Sequence, residues 1–173
     1  MIQEKWKPDL NRLICVKNIS AGELIYISKR QLGYQVEWTN PNDTNYMELS
    51  ELKNLLSSDR FFFKNLWIRI IEDDEIEIYK YLNVYKNYKD FLNLKLDDVD
   101  DIFKLSISKF EKAFKLLPEA FQKTIAKNAV NKIIDGTLDS MKIVKVIESI
   151  TELDLNLMAE TKKRADKKIN KEW

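Results

Sequence analysis

The apolar residues of this chain change their period part-way along it, and that change limits the folds open to it. In YQVEW, Tyr34, Val36 and Trp38 alternate with Gln35 and Glu37, the period of a half-buried strand. Between Pro118 and Asp135 the spacing is different: Phe121, Ile125, Ala129 and Ile133 form a stripe flanked by Ala126, Val130 and Ile134, as on a helix that buries one side. A chain that runs strands first and helices afterwards is expected to form an α+β fold.

The strand region divides further. LICVKNI (residues 13–19) and ELIYI (23–27), joined by the turn-prone SAGE, predict a hairpin. A second turn at KRQLG, ending at Gly33, leads into YQVEW, and TNPNDTN (39–45) is dense in turn formers. YMEL then either begins a short strand or enters the next helix. Leu49, Leu52, Leu55 and Leu56 fall at helical spacing and predict a helix over 50–58 with Ser50 as its cap, after which LWIRIIE (66–72) returns to strand composition. Residues 1–74 are therefore expected to form a small, mostly antiparallel sheet with one inserted helix.

Past the acidic block EDDE the pattern is helical, and residues 75–156 read as a bundle of short helices. Asp74 is placed to cap IEIYKYL and Asp97 to cap DVDDIFKL, both acids near helix starts that favour negative charge. Ser106 precedes ISKFEKAFKLL, with Phe110, Phe114 and Leu117 on one face. The clearest helix follows Pro118, a residue tolerated in the first turn, and stops before Gly136. After Asp139, either Met141, Val144, Ile147 and Ile150 face inward or Ile143 and Val146 share that role. Residues 157–173 lose the apolar stripe and form a charged tail, and the boundary between the sheet and the bundle is expected within 73–87.

The 173 residues are 45% hydrophobic and 33% charged, the composition of a chain that folds around its own core. No run approaches the roughly 18 uncharged residues of a spanning helix, and MIQEKWKPDLNR lacks the apolar core of a signal peptide, so no membrane association is expected and synthesis and assembly are expected in the cytoplasm. With 0 His, neither an imidazole-based triad nor a histidine zinc site can be built. With only Gly22, Gly33 and Gly136, there is neither a Walker loop nor a dinucleotide fingerprint. The run DDVDD (97–101) lacks the glycine and distal glutamate of a calcium loop and reads as acids at a helix start. Neither a catalytic residue nor a cofactor or metal site is assigned, and the chain is expected to be no enzyme. The single Cys15, inside LICV, excludes an internal disulfide and predicts a buried thiol.

Two groups of residues stand out as candidate contact sites. Phe61, Phe62, Phe63, Trp67 and Tyr79 concentrate aromatic surface in one stretch, more than a half-buried strand would cover. That surface serves as an internal seam between the two units, as a protein interface with a partner or with further copies of the chain, or as both. Lys162, Lys163, Arg164, Lys167 and Lys168 form a basic patch in a chain whose net charge is only +1. Such a patch is either a phosphate contact for nucleic acid or the ordinary basic end of a helix.

The order of segments carries a resemblance. VKNISAGELIYI, GYQVEW, YMELSELKNLL, FFFKNLWIRI, IYKYLNV and FEKAFKLLPEAFQKTIAKNAVNKIIDGTLDSMKIVKVIE together resemble small virion-associated proteins of tailed bacteriophages. The resemblance spans most of residues 13–155 and rests on pattern and order, with no sharp motif. It implies a structural protein of the phage particle, associated with capsid or neck and contacting other virion proteins, and it supplies no catalytic residues.

Overall fold

The computed structural model describes residues 6–169, with the side chains of Lys168 and Ile169 outside that description. The fold is α+β, an N-terminal antiparallel sheet with a helix inserted, followed by a helical bundle. The chain divides into two compact units, one ending at Asn93 and the other beginning at Leu94.

The first unit contains β1 (Leu13–Asn18), β2 (Leu24–Ile27), β3 (Gln35–Trp38), β4 (Thr44–Glu48), α1 (Leu49–Ser58), α2 (Phe61–Lys64), β5 (Ile68–Ile70), α3 (Glu75–Tyr81) and α4 (Tyr85–Leu92). β1 is the central strand of a three-stranded sheet ordered β4-β1-β5, antiparallel on both sides, while β2 and β3 form a separate hairpin. The hairpin expected between β1 and β2 therefore does not form. Asn18 is the reason: its buried Nδ2 donates to the carbonyls of Gly22 and Asn40, and its Oδ1 accepts from the N–H and hydroxyl of Ser20. The SAGE turn wraps around that side chain, and both flanks of β1 are taken by other segments.

Alternation sorts the sheet as the period of two requires. Ile14, Val16, Met47, Ile68 and Ile70 are buried on one face, each contributing about 1.5 to 3 kcal/mol of apolar transfer free energy. Trp38, fully buried, donates its indole N–H to the Val16 carbonyl at 2.9 Å and so ties the hairpin to β1. In α1 the buried residues are Leu49, Glu51, Leu52 and Leu55. Ser50 is not its cap; it lies inside the first turn and donates to Glu48, the residue that precedes the helix.

The phenylalanine run is a single helical turn, α2, and not part of a strand. Beyond it Leu66 takes φ 52°, a costly conformation for leucine that its complete burial holds in place. Helices α3 and α4 belong to this first unit, so the boundary expected at 74/75 falls inside it. Asp74 precedes α3 but makes no side-chain bond to that helix.

The second unit holds a 3₁₀ turn (Val99–Lys104), α5 (Ile107–Leu116), α6 (Glu119–Ile134), α7 (Met141–Thr151) and α8 (Leu155–Ile169). The cap of the 3₁₀ turn is Asp98, not Asp97: its carboxylate accepts the Asp100 N–H while Asp101 accepts the Asp98 N–H. In α5, Phe110 and Phe114 are buried and stack at 5.4 Å, and Leu117 just beyond is buried too. Helix α6 buries Phe121, Ile125, Ala126, Ala129 and Val130 and packs against α7 and α8. Gly136 follows it at φ 71° and donates to Ile133, closing the helix end. In α7 the buried set is Ile143, Val144 and Ile147, whereas Met141 is exposed. The charged tail continues as α8, anchored by the buried Leu155 and Ala159.

Candidate functional site

Of the five aromatic candidates, Phe62, Phe63 and Tyr79 lie in the core of the first unit, each less than 5% exposed. Tyr79 stacks on Tyr88, and Phe63 meets Tyr88 edge-on at 6.5 Å. Trp67 is half-buried, with its ring edge-on to Phe62 at 5.6 Å. Only Phe61 stands open, at 52%. The helical geometry of α2 explains this split, because consecutive side chains of one turn point about 100° apart and three neighbours cannot all face outward.

Open apolar residues also stand on the outward face of the three-stranded sheet. Register places Tyr46 on β4 opposite Cys15 on β1, and the Ile71 N–H bonds to the Cys15 carbonyl just past β5. Tyr46, Cys15 and Ile71 thus form one row across three strands. Lys17, with Thr44 and Arg69 as its cross-strand partners, forms the next row, and Leu13 opposite Glu48 lies on the other side. Leu13 and Tyr46 are each about 60% exposed and Ile71 is exposed as well. Cys15, expected to be buried, is half-exposed here because the odd residues of β1 face outward. Burial and the nearby Glu72 carboxylate still push its thiol pKa up.

A polar cluster borders this face. Arg12 donates to Asp74 at 2.7 and 2.9 Å and to Glu72 at 2.7 Å, while Glu72 also accepts the Cys15 N–H at 2.8 Å. The Trp6 indole donates to Asp74 at 2.7 Å. These bonds, the Arg12 guanidinium first, hold the Asp74 carboxyl below its ordinary pKa and keep Arg12 charged. The acidic block after β5 is thus a clamp that reaches back to the start of β1, a role that spacing along the chain does not disclose. Asp100 pairs with Lys132 at 2.9 Å, and among the described residues no three His, Cys, Asp or Glu side chains converge as metal ligands.

In the basic tail, residues 161–167 of α8 are all exposed. Lys162 donates to Asn131 at 2.6 Å and Arg164 pairs with Glu160 at 3.5 Å. Lys163 and Lys167 are exposed, and the Lys168 side chain falls outside the described residues. No family model matches the chain, and the searches of curated proteins and of solved structures find no match.

Proposed function

We propose that this chain is a non-enzymatic structural component of a tailed-phage particle, a minor or auxiliary protein seated on the capsid or neck after assembly in the host cytoplasm. The observation that carries the reading is the outward sheet face, where Leu13, Tyr46 and Ile71 stand exposed on a rigid antiparallel scaffold beside Lys17 and Glu48. An apolar centre with a charged rim is the surface that a non-obligate protein contact uses. The order of segments that resembles virion-associated proteins supports the same reading.

The test is incorporation into particles. Leu13→Asp combined with Tyr46→Asp is expected to leave the far-ultraviolet circular dichroism unchanged, since both side chains face solvent, and to remove the protein from purified particles. Incorporation of the folded double variant at wild-type copy number overturns the reading.

A second reading, nucleic-acid association through the basic tail, draws on the exposure of residues 161–167. Replacing Lys163 and Lys167 by alanine is expected under it to weaken binding to DNA at low salt. Unchanged binding discards it.

A further inference from the structure

The surface of the first unit is cut by two clefts that meet at the C-terminal end of α1, where Ser57 lines both. One, about 370 Å³, is lined by Arg60, Lys64, Asn83 and Asn87 above an apolar floor that includes Phe63 and Leu82. The other, about 430 Å³, is lined by Lys29, Arg30, Asn54 and Ser58. Neither lining contains a carboxylate.

The four cations line the two clefts with no acid among them. Arg12, Lys80, Lys104, Lys115, Lys123 and Lys132 all sit in ion pairs. Among the described residues, Lys29, Arg30, Arg60 and Lys64 have none. The acids near them in sequence are engaged: Asp59 accepts the Phe61 N–H, and the buried Glu51 accepts from the Tyr26 hydroxyl at 2.9 Å and from Asn54 at 2.6 Å. Four cations without an ion pair, in clefts whose linings hold no carboxylate, favour a ligand with more than one negative group.

Two further features narrow that ligand. Helix α4 begins at the first cleft, and Val84, the residue before it, has no side chain able to cap the first-turn N–H groups. The Phe61 ring, 52% exposed, lies beside Arg60 in the chain and 5.9 Å from the Lys64 ammonium. Cations that track a backbone next to an open aromatic ring are the equipment of single-strand binding. The carbonyls at the end of α1 also attract positive charge, since its last turn carries no basic residue. That attraction accounts for a nearby cation, while the Ser57 and Ser58 hydroxyls at the same end donate to the Lys53 and Leu55 carbonyls.

We propose that the two clefts form one groove for single-stranded nucleic acid. Arg60 and Lys64 hold one phosphate, Lys29 and Arg30 hold another along the same strand, and Phe61 stacks on a base. Binding is independent of sequence, because every contact is to phosphate or to a ring face.

The experiment is fluorescence anisotropy of the full chain with a labelled 15-nucleotide single strand of mixed sequence, across a salt series starting at 50 mM. Two phosphates held in this way give a log–log salt slope of about −1.4. Arg60→Ala with Lys64→Ala, and separately Lys29→Ala with Arg30→Ala, are each expected to lower affinity at least tenfold and to flatten the slope by about 0.7. Phe61→Ala is expected to lower affinity about fivefold or more with the slope unchanged. Lys163→Ala with Lys167→Ala in α8 is expected to change neither, which separates this groove from the basic tail. All these side chains are exposed, so the thermal midpoint of each variant is expected to match the wild type. The proposal is overturned if the wild-type chain does not bind at 50 mM salt, or if the cleft variants bind as well as it does. Loss of binding in the α8 variant, or a preference for duplex of the same length, overturns it equally.

Discussion

The rings of Tyr79 and Tyr88 stack at 4.2 Å with planes 20° apart, and their hydroxyls serve the same strand edge. Tyr79 accepts the Ile70 N–H at 2.8 Å, and Tyr88 donates to the Ile68 carbonyl at 2.7 Å. β5 pairs with β1 on one side only, so these groups lie on its outer edge. Two fully buried phenols thus do the work of a further strand, and the edge offers no template for pairing with another chain.

Tyr79→Phe leaves a buried N–H without its acceptor and is expected to cost about 1 to 3 kcal/mol. Tyr88→Phe leaves the Ile68 carbonyl short of one donor and is expected to cost somewhat less, because carbonyl acceptors tolerate it better. Urea unfolding measures both, and hydrogen exchange at the Ile70 amide is expected to speed up in Tyr79→Phe alone.

Burial also sets how these phenols titrate. Desolvation raises Tyr79 and Tyr88 well above the ordinary 10.0, and it raises Tyr26, whose hydroxyl donates to Glu51, to about 12. A pKa raised by folding contributes stability that is complete below the unfolded value and declines as pH rises past it. Stability is therefore expected to fall above about pH 10, with phenolate absorbance from the two buried tyrosines appearing together with loss of the fold. Full ionisation of all tyrosines while circular dichroism stays native would contradict this.

At the acid end Asp74 contributes to stability. Its pKa is depressed below 3.8 by hydrogen bonds from Arg12 first and Trp6 second. Stability from this clamp is present above that ordinary value and lost as pH falls through the lower folded one. Asp74→Asn is expected to cost about 1 to 2 kcal/mol at pH 7, with the gap to wild type closing below pH 3.8. A gap that stays constant between pH 7 and pH 2 would exclude the clamp as its source.

Gly136→Ala tests the end of α6 with little else disturbed. A Cβ there meets nothing within 4 Å, but φ is 71°. The expected loss is therefore a backbone cost of about 1 kcal/mol, visible as a lower thermal midpoint. A loss of several kcal/mol would mean that packing and not conformation governs the site.

Much of the candidate surface was not legible in the chain. Phe61, Phe62 and Phe63 are identical letters with different fates, set by which side of one short turn faces the core. Lys29 and Arg30 lie in a turn, Arg60 and Lys64 border α2, and only folding brings both pairs to the end of α1. No spacing rule links positions 30 and 60. LICV is continuous in hydrophobicity, so alternation does not say which of its residues face inward, and Cys15 is half-exposed.

What the sequence determined by itself is local: strands where apolar residues alternate, helices where they recur at 3.6, and the stop at Gly136. These follow from backbone geometry and nearest neighbours, which a linear pattern records. The tertiary structure alone decided that β1 pairs with β4 and β5 and not with β2, that Asp74 serves Arg12 and not α3, and that α3 and α4 close the sheet edge. Each is a choice among partners that are equally plausible locally, and burial and hydrogen bonding make it only once distant segments compete for the same groups.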